Sequence, residues 1–440
     1  MRTEPKYQLQ SVYKFYFLEY FYVLFKSIES YSHSHRARIF ESFKTLKHAH
    51  QLGESKYKRI TFETDNLTKT QEDRYLYTFE QVISEAEVYG LIEQDRDYLA
   101  LTDQGRKLLD IYRESGLLAF NRALFQYMEE NYHAFHYLVQ FCYKSNKKNP
   151  GLLILPNYSP LKLQIERSDI RHSSDIIAYS ERLTKKLEKD IFDHLGVKRN
   201  LAQNNAILID RLRKTGLIPE KGSEPFEPKK YNAIIKRFRD FWLNYFLKEI
   251  YQHSFSLHSF DIWVYRGKQL GIIHATEFYP NFNGRIVYPT SIIIDYDASR
   301  DFQKIFTYDG GQSLFVHSPK WDQEDTQESF VKALTDAYFD IRKSHRSYFV
   351  SLADVRELVC YNLKIPEYLF DEFLKEAYKL NIKGQLNINF SLEADKLPQE
   401  TSAMYLKREP IMIDERYRNI IAIDITRGDR HHGKVLEKAS

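Results

Sequence analysis

The 440-residue sequence predicts an α+β protein, predominantly helical. Three observations carry that expectation. Apolar residues recur at three- and four-residue spacing through most of the chain, the period of an amphipathic helix. Two helical stretches end on a glycine followed at once by an apolar pair, Gly90 with Leu91-Ile92 and Gly216 with Leu217-Ile218. Between 260 and 294 the texture changes to alternating or continuous apolar runs separated by turn residues, which is the pattern of a small antiparallel sheet.

The stretch 79–109 is the most complete unit. Phe79, Val82, Ile83 and Ala86 fall on one helix face. Gly90 then stops the helix, since glycine enters the left-handed conformation without steric cost. Leu91 and Ile92 begin a short strand, Asp95-Arg96 turns it, and 98–101 brings it back. Thr102 caps the next helix, which carries Leu108 and Leu109. Helix, glycine, two-stranded wing and capped helix together resemble the winged-helix family, the helix-turn-helix variant with a β-hairpin. Ahead of this unit, 11–25 reads as an aromatic-rich buried helix and 37–50 as a second helix, the two packing on the winged-helix unit as its N-terminal extension. Lys14 and Glu19 interrupt the apolar run and no small-residue cleavage site follows, so neither a membrane span nor a targeting signal is expected.

Downstream, 51–70 reads as loop or strand before that unit, 109–143 as helix after it, and 146–150 as a break. A helix over 182–195 ends at Gly196, and 201–215 is closed by Gly216. Pro219 follows at once, so this second unit shows no returning wing strand. Residues 219–230 hold three prolines and read as the linker between two lobes. Beyond it, 231–252 is an amphipathic helix with Ile234, Ile235, Phe238, Trp242 and Phe246 inward. Residues 260–265, 270–278 and 285–294 read as strands, with Arg266-Gly267 and 281–284 as turns and 313–317 as a further strand. A helix over 326–343 follows. A third helix-turn-helix candidate covers 351–380, capped at Ser351 and restarted at Pro366, with strands over 386–390 and 420–425. The tail from 427 is polar and expected to be disordered. The expected organisation is therefore 1–150 with the first unit, 151–218 with the second, the 219–230 linker, 231–345 with helix and sheet, 346–426 with the third unit, and the tail 427–440. The fold class is α+β with tandem winged-helix-like units plus a small antiparallel sheet in the C-terminal lobe.

Charge distribution separates the units. The chain carries only +4 overall, too little for long-range attraction to nucleic acid. From 71 to 110 there are four basic and ten acidic residues, and the outer helix face shows Glu80, Gln81, Ser84 and Glu87 with Glu85 beside them. A duplex would be repelled there. From 181 to 239 there are 15 basic and eight acidic residues. Leu201, Leu208, Ile209 and Leu212 make the inward stripe of that helix. Outward lie Asn200, Gln203, Asn204, Ile207, Asp210, Arg211 and Lys214, preceded by Lys198 and Arg199. Arginine pairs bidentately with guanine, asparagine and glutamine with adenine, and an exposed isoleucine meets a thymine methyl. Lys198, Arg199, Asn200, Gln203, Asn204, Arg211 and Lys214 are therefore the candidate DNA-binding residues. The third unit, with four basic and six acidic residues over 351–380, reads as structural or as a partner surface.

One candidate catalytic set stands out: His253, His258, Asp261, His274, Glu277, Asp295 and Asp297. A metal-dependent nuclease of the restriction type needs an Asp before one strand and Glu-x-Lys on the next. Asp261 and Glu277 suit that spacing, but Tyr279 stands at the lysine position. Phosphate-loop, dinucleotide and serine-elbow motifs are missing. Cys142 and Cys360, far apart, suggest neither a zinc site nor a disulfide framework and fit a reducing cytoplasm. The size and texture of the chain resemble the accessory subunits of phosphorothioation-dependent restriction systems, which implies a defence complex whose partner ATPase and nuclease do the chemistry. The expectation is a non-catalytic DNA-binding subunit, with no cofactor or metal. The alternatives are a protein-interaction scaffold that does not bind DNA, and a metal-dependent nuclease using 253–301.

Overall fold

A computed structural model describes residues 15–31, 35–50, 71–146, 148, 150–156, 171–253, 257–276, 284–343, 347–394 and 411–425. The expectations for 11–14, 51–70, 277–283 and 427–440 lie outside these residues. The described chain is α+β, predominantly helical, with small antiparallel sheets. Its buried apolar side chains form two cores, one running from Phe15 to Val316 and the other from Phe330 to Ile423.

The first core begins with α1 (Glu19–Ser30), α2 (Arg36–Ala49) and α3 (Gln71–Val88). Tyr20, Phe21, Phe43 and Phe79 are fully buried between them, since large rings fill the space that short helices leave. α3 closes as its sequence requires. Gly90 sits at φ +65°, and the Leu91 N–H donates to the Ala86 carbonyl at 2.9 Å. The chain then forms β1 (Ile92–Asp95) and β2 (Tyr98–Leu101), paired antiparallel across a turn in which Arg96 has φ +49°. His35 bridges Tyr98, so the residue just ahead of α2 adds to the hairpin edge. Thr102 Oγ1 accepts from the Gly105 N–H at 3.2 Å and donates to the Gly90 carbonyl, capping α4 (Asp103–Tyr132).

The helical stretch expected over 109–143 is divided. His133, at φ +49°, separates α4 from α5 (Ala134–Ser145). The buried Glu129 carboxylate accepts from the Phe135 and His136 N–H groups, so a side chain of one helix caps the next. After β3 (Leu153–Pro156) come α6 (Ser173–Leu195), α7 (Ala202–Lys214) and α8 (Tyr231–Tyr245), which runs into a π-helical turn at Phe246–Ile250. Residues 219–230, read as a linker, are tied to the start of α6. The Ser173 N–H donates to the Glu224 carbonyl and the Phe226 N–H to the Arg171 carbonyl. Phe226 is buried in the same core as Leu212 and Ile234. One apolar anchor in a polar stretch is enough to fold it back, and the core continues across it.

The main departure from expectation is 260–265, which is not a strand but part of α9 (Leu257–Leu270). A continuous apolar run does not distinguish a buried strand from a buried helix. Here Phe260, Ile262, Trp263 and Val264 are all enclosed. Arg266, read as a turn residue, lies fully buried in this helix and forks onto Glu85 of α3 at 2.7 and 2.8 Å. Glu85, placed beside the outer face of the first unit, is thus inside it. The sheets start later. β4 (Ile273–Thr276) and β5 (Gly284–Pro289) pair with β3 in the order β3-β5-β4, and β6 (Ser291–Ile294), β7 (Phe302–Thr307) and β8 (Ser313–His317) in the order β6-β8-β7. The run 285–294 breaks at Thr290, whose hydroxyl donates to the Gly271 carbonyl at 2.6 Å.

The second core is built from α10 (Glu324–Arg342), β9 (Val350–Ser351), α11 (Leu352–Leu363), α12 (Glu367–Ile382), β10 (Ile388–Glu393), the hairpin β11 (Ile411–Ile413) and β12 (Arg416–Arg418), and β13 (Ile420–Ile425). Ser351 Oγ accepts from the Asp354 N–H, the cap its position implies. The strands align β10-β13-β9, all antiparallel. Polar contacts join the cores: Lys268 meets Glu367 at 3.0 Å, and Arg122 donates to the Tyr368 hydroxyl at 2.8 Å.

Candidate nucleic-acid interface

α7 begins where two side chains satisfy its first N–H groups. Glu188 accepts from Leu201, and Asn200 Oδ1 accepts from Ala202 at 2.9 Å. An unpaired N-terminal N–H is otherwise left to solvent. Leu201, Leu208, Ile209 and Leu212 are buried along the inward stripe. Asn205 joins them, a polar residue in an apolar stripe, because its carboxamide oxygen accepts from the buried Ser180 hydroxyl of α6. At the other end Gly216 has φ +65°, and the Leu217 N–H reaches back to the Leu212 carbonyl at 3.0 Å. The apolar pair that followed Gly90 as a strand here only closes the helix, with Ile218 buried beneath it.

Of the candidate residues, Lys198, Arg199, Asn200, Gln203, Arg211 and Lys214 are exposed and Asn204 is half-buried. Lys198 and Arg199 precede the helix and Lys214 ends it, so the cations stand at opposite ends of a 13-residue rod, about 20 Å apart at 1.5 Å per residue. Ile207 is 41% exposed between them. Lys214 pairs with Asp210 at 2.7 Å, one turn back on the same helix.

α7 is not a free-standing rod. α8 runs beside it, and the two enclose a groove of about 880 Å³. Asn204, Ile207, Arg211 and Lys214 line it from α7. Arg237, Asp240, Phe241, Asn244 and Tyr245 line it from α8, and Lys248 and Glu249 from the π-helical turn that continues it. The Arg211 guanidinium lies 5.4 Å from the centre of the Phe241 ring. Burial raises the Tyr245 hydroxyl above its usual range, and the charge of Arg199 works against that rise. The α8 residues escaped the sequence reading, although Arg237, Phe241, Asn244, Tyr245 and Lys248 recur at four-, three- and one-residue steps along one face. Projecting α8 as α7 was projected brings them out.

Of the residues considered for metal chemistry, the described ones do not assemble, and the His258 side chain lies outside the description. Asp261 is buried within α9 rather than placed ahead of a strand. His253 hydrogen-bonds the Tyr137 hydroxyl. His274 is buried on β4, where burial lowers its pKa to about 3. Asp295 and Asp297 are exposed in the turn after β6, and Glu277 lies outside the described residues. Among the described residues, no three His, Cys, Asp or Glu side chains are grouped so as to hold a metal ion. Nor is any described helix long and apolar enough to cross a membrane.

Comparison with family models, with curated proteins and with solved structures finds no match to this chain.

Proposed function

We propose that this chain is a non-catalytic, duplex-DNA-binding subunit of a bacterial multi-protein complex, with α7 as its contact helix and the cytoplasm as its compartment. One observation carries the reading. The outward face of α7 is solvent-exposed, and it belongs to the segment 181–239 in which 15 basic residues outnumber eight acidic ones. Lysines and arginines spaced along a helix neutralise phosphates, and the amides among them reach base edges.

The other helical units take a different part. The order α1, bridge at His35, α2, α3, β1, β2 is compatible with a winged helix, as is α10, β9, α11, α12, β10, β13. We read both as winged-helix units that build the body of the protein. On α3, Glu87 is exposed together with Leu76 and Val88, at 43% and 48%. An acidic face with exposed apolar side chains repels DNA and suits a protein neighbour. The resemblance to accessory subunits of phosphorothioation-dependent restriction systems makes an ATPase or nuclease subunit the partner class.

The test is fluorescence anisotropy of a labelled duplex titrated with the full chain. Charge reversal at Lys198, Arg199, Arg211 and Lys214 together should weaken binding by at least about a hundredfold, each phosphate contact being worth on the order of 1 kcal/mol at moderate salt. Undiminished binding by this variant would remove α7 from the interface. No binding by the wild-type chain, with co-purification of a protein partner, would favour the scaffold reading.

A further inference from the structure

Where the two cores meet there is a second concavity, of about 490 Å³, remote in sequence from α7. Tyr143 lines it from the end of α5, Lys148 from the segment after that helix, Tyr288 from β5, Phe302 from β7, His317 from β8 and Lys364 from the end of α11. No carboxylate is among its described lining residues. Its volume is in the range of small-molecule sites and exceeds what a bare inorganic anion fills.

Two of its groups are poorly compensated. Lys364 sits in the left-handed conformation, φ +54°, as the cap of α11. That backbone turn brings its Nζ to 3.6 Å from the centre of the Tyr361 ring and 4.7 Å from that of Tyr288, where it donates to the Tyr361 carbonyl at 2.8 Å. Rings and a carbonyl neutralise no charge, and burial lowers the ammonium pKa to about 8. Tyr288 is 1% exposed, and its hydroxyl has no hydrogen-bond partner among the described residues. A buried hydroxyl left so costs roughly 1–3 kcal/mol. On the facing wall the His317 ring lies on Phe302, centroids 5.0 Å apart, with Nδ1 3.4 Å from the Lys364 carbonyl.

A half-buried cation with no carboxylate partner and a hydroxyl with no acceptor or donor, both among the described residues, together with aromatic walls, fit one ligand chemistry. We propose that this pocket binds a phosphorylated aromatic small molecule of the mononucleotide class, its phosphate on Lys364 and Lys148 and its ring along Phe302 and Tyr143. Lys364 caps α11, an element of the second core, whereas Tyr288, Phe302 and His317 stand on strands that precede that core in the chain, so such a ligand bridges the two. An anion on Lys364 restores the charge balance that burial upsets, and the bound state resists thermal unfolding by linkage.

Isothermal titration and thermal unfolding of the full chain test this, with AMP and inorganic phosphate as probes. AMP should bind and raise Tm, and phosphate should bind at least about tenfold more weakly for want of ring contacts. Lys364→Gly removes the cation while keeping the left-handed backbone unstrained, and should weaken AMP at least about tenfold, the worth of one charge-assisted hydrogen bond. Phe302→Ala should weaken AMP and leave phosphate unchanged. Charge reversal at Arg211 and Lys214 should leave AMP affinity unaltered, which separates this pocket from the α7 face. No AMP binding, or AMP binding indifferent to Lys364→Gly, overturns the proposal. Equal affinity for phosphate and AMP overturns the ring contacts.

Discussion

Arg266 and Glu85 make the most consequential pair of side chains in the first core. Both are fully buried, two hydrogen bonds join them, and Glu85 also accepts from the Tyr89 hydroxyl at 2.6 Å. Removing one partner strands the other charge away from water, at a cost of about 3–5 kcal/mol, whereas replacing both by apolar residues of similar volume costs far less. Urea unfolding should therefore find Arg266→Met strongly destabilising, and Arg266→Met with Glu85→Leu largely restored. A double variant as unstable as the single one would mean that the pair positions α3 on α9 in some way apolar packing cannot replace. This pair was not legible in sequence. Glu85 sits among surface-type residues of α3, and its partner lies in a run that reads as strand and turn.

His274 gives a pH dependence of definite sign. Burial first, then the charges of Lys268, Arg356 and Lys364, hold its pKa at about 3 against an ordinary 6.5, with Glu367 opposing them. Below about 6.5 the unfolded chain takes up a proton that the folded chain refuses until about pH 3. The stabilisation is complete above the unfolded pKa and is lost as pH falls through this window. His274→Phe should flatten the acid limb of stability by about 1.4 kcal/mol per pH unit between pH 6 and 4, read from urea midpoints. Glu129 runs the other way. Burial raises it to about 7, so its contribution declines as pH rises from about 4.5 to 7, and Glu129→Gln should alter the slope with opposite sign.

At the scale of elements, helix ends were the most legible features. Gly90, Gly196 and Gly216 all hold φ between +65° and +67°, and each closes the helix the sequence assigned to it. Thr102 and Ser351 cap where they were expected. Such signals are local, and tertiary contacts do not rewrite them. α9 was misread because its identity depends on what surrounds it: with apolar contacts on every side, neither period is visible. β3 and β7 were missed for related reasons. The first is a short run whose partner lies more than a hundred residues later, and the second carries exposed Gln303 and Lys304. One glycine reverses the usual propensity rule. Alanine normally stabilises a helix relative to glycine by about 1 kcal/mol. At Gly105 in the first turn of α4, however, a Cβ would lie 2.2 Å from the Leu91 carbonyl oxygen. Gly105→Ala should therefore destabilise, by roughly 2 kcal/mol or more through strain against fixed backbone, with urea midpoints as the measure.

Over the whole molecule, charge is segregated more sharply than the net +4 suggests. The acidic surface lies around α3 and the basic excess on α6 to α8, so one molecule can present one face to a protein and another to a polyanion. Half of that second face was readable. α7 could be projected because Gly216 fixed its end and the stripe of Leu201, Leu208, Ile209 and Leu212 fixed its inward face. α8 and the turn that continues it contribute Arg237, Asn244 and Lys248 only because 219–230 folds back and lays the two helices side by side, a tertiary outcome no local period encodes. The seam between the cores was invisible for the same reason, since Lys364 and Tyr288 are 76 residues apart and meet only in the fold.

Binding of a duplex by α7 is tested most directly by the salt dependence of affinity. The four cations assigned to the contact, Lys198, Arg199, Arg211 and Lys214, predict a log–log slope of about −3 or steeper for wild-type protein, given roughly −0.9 per neutralised phosphate, and a slope near zero for their charge-reversal variant. A wild-type slope near zero, or the same steep slope in both proteins, would contradict the assignment.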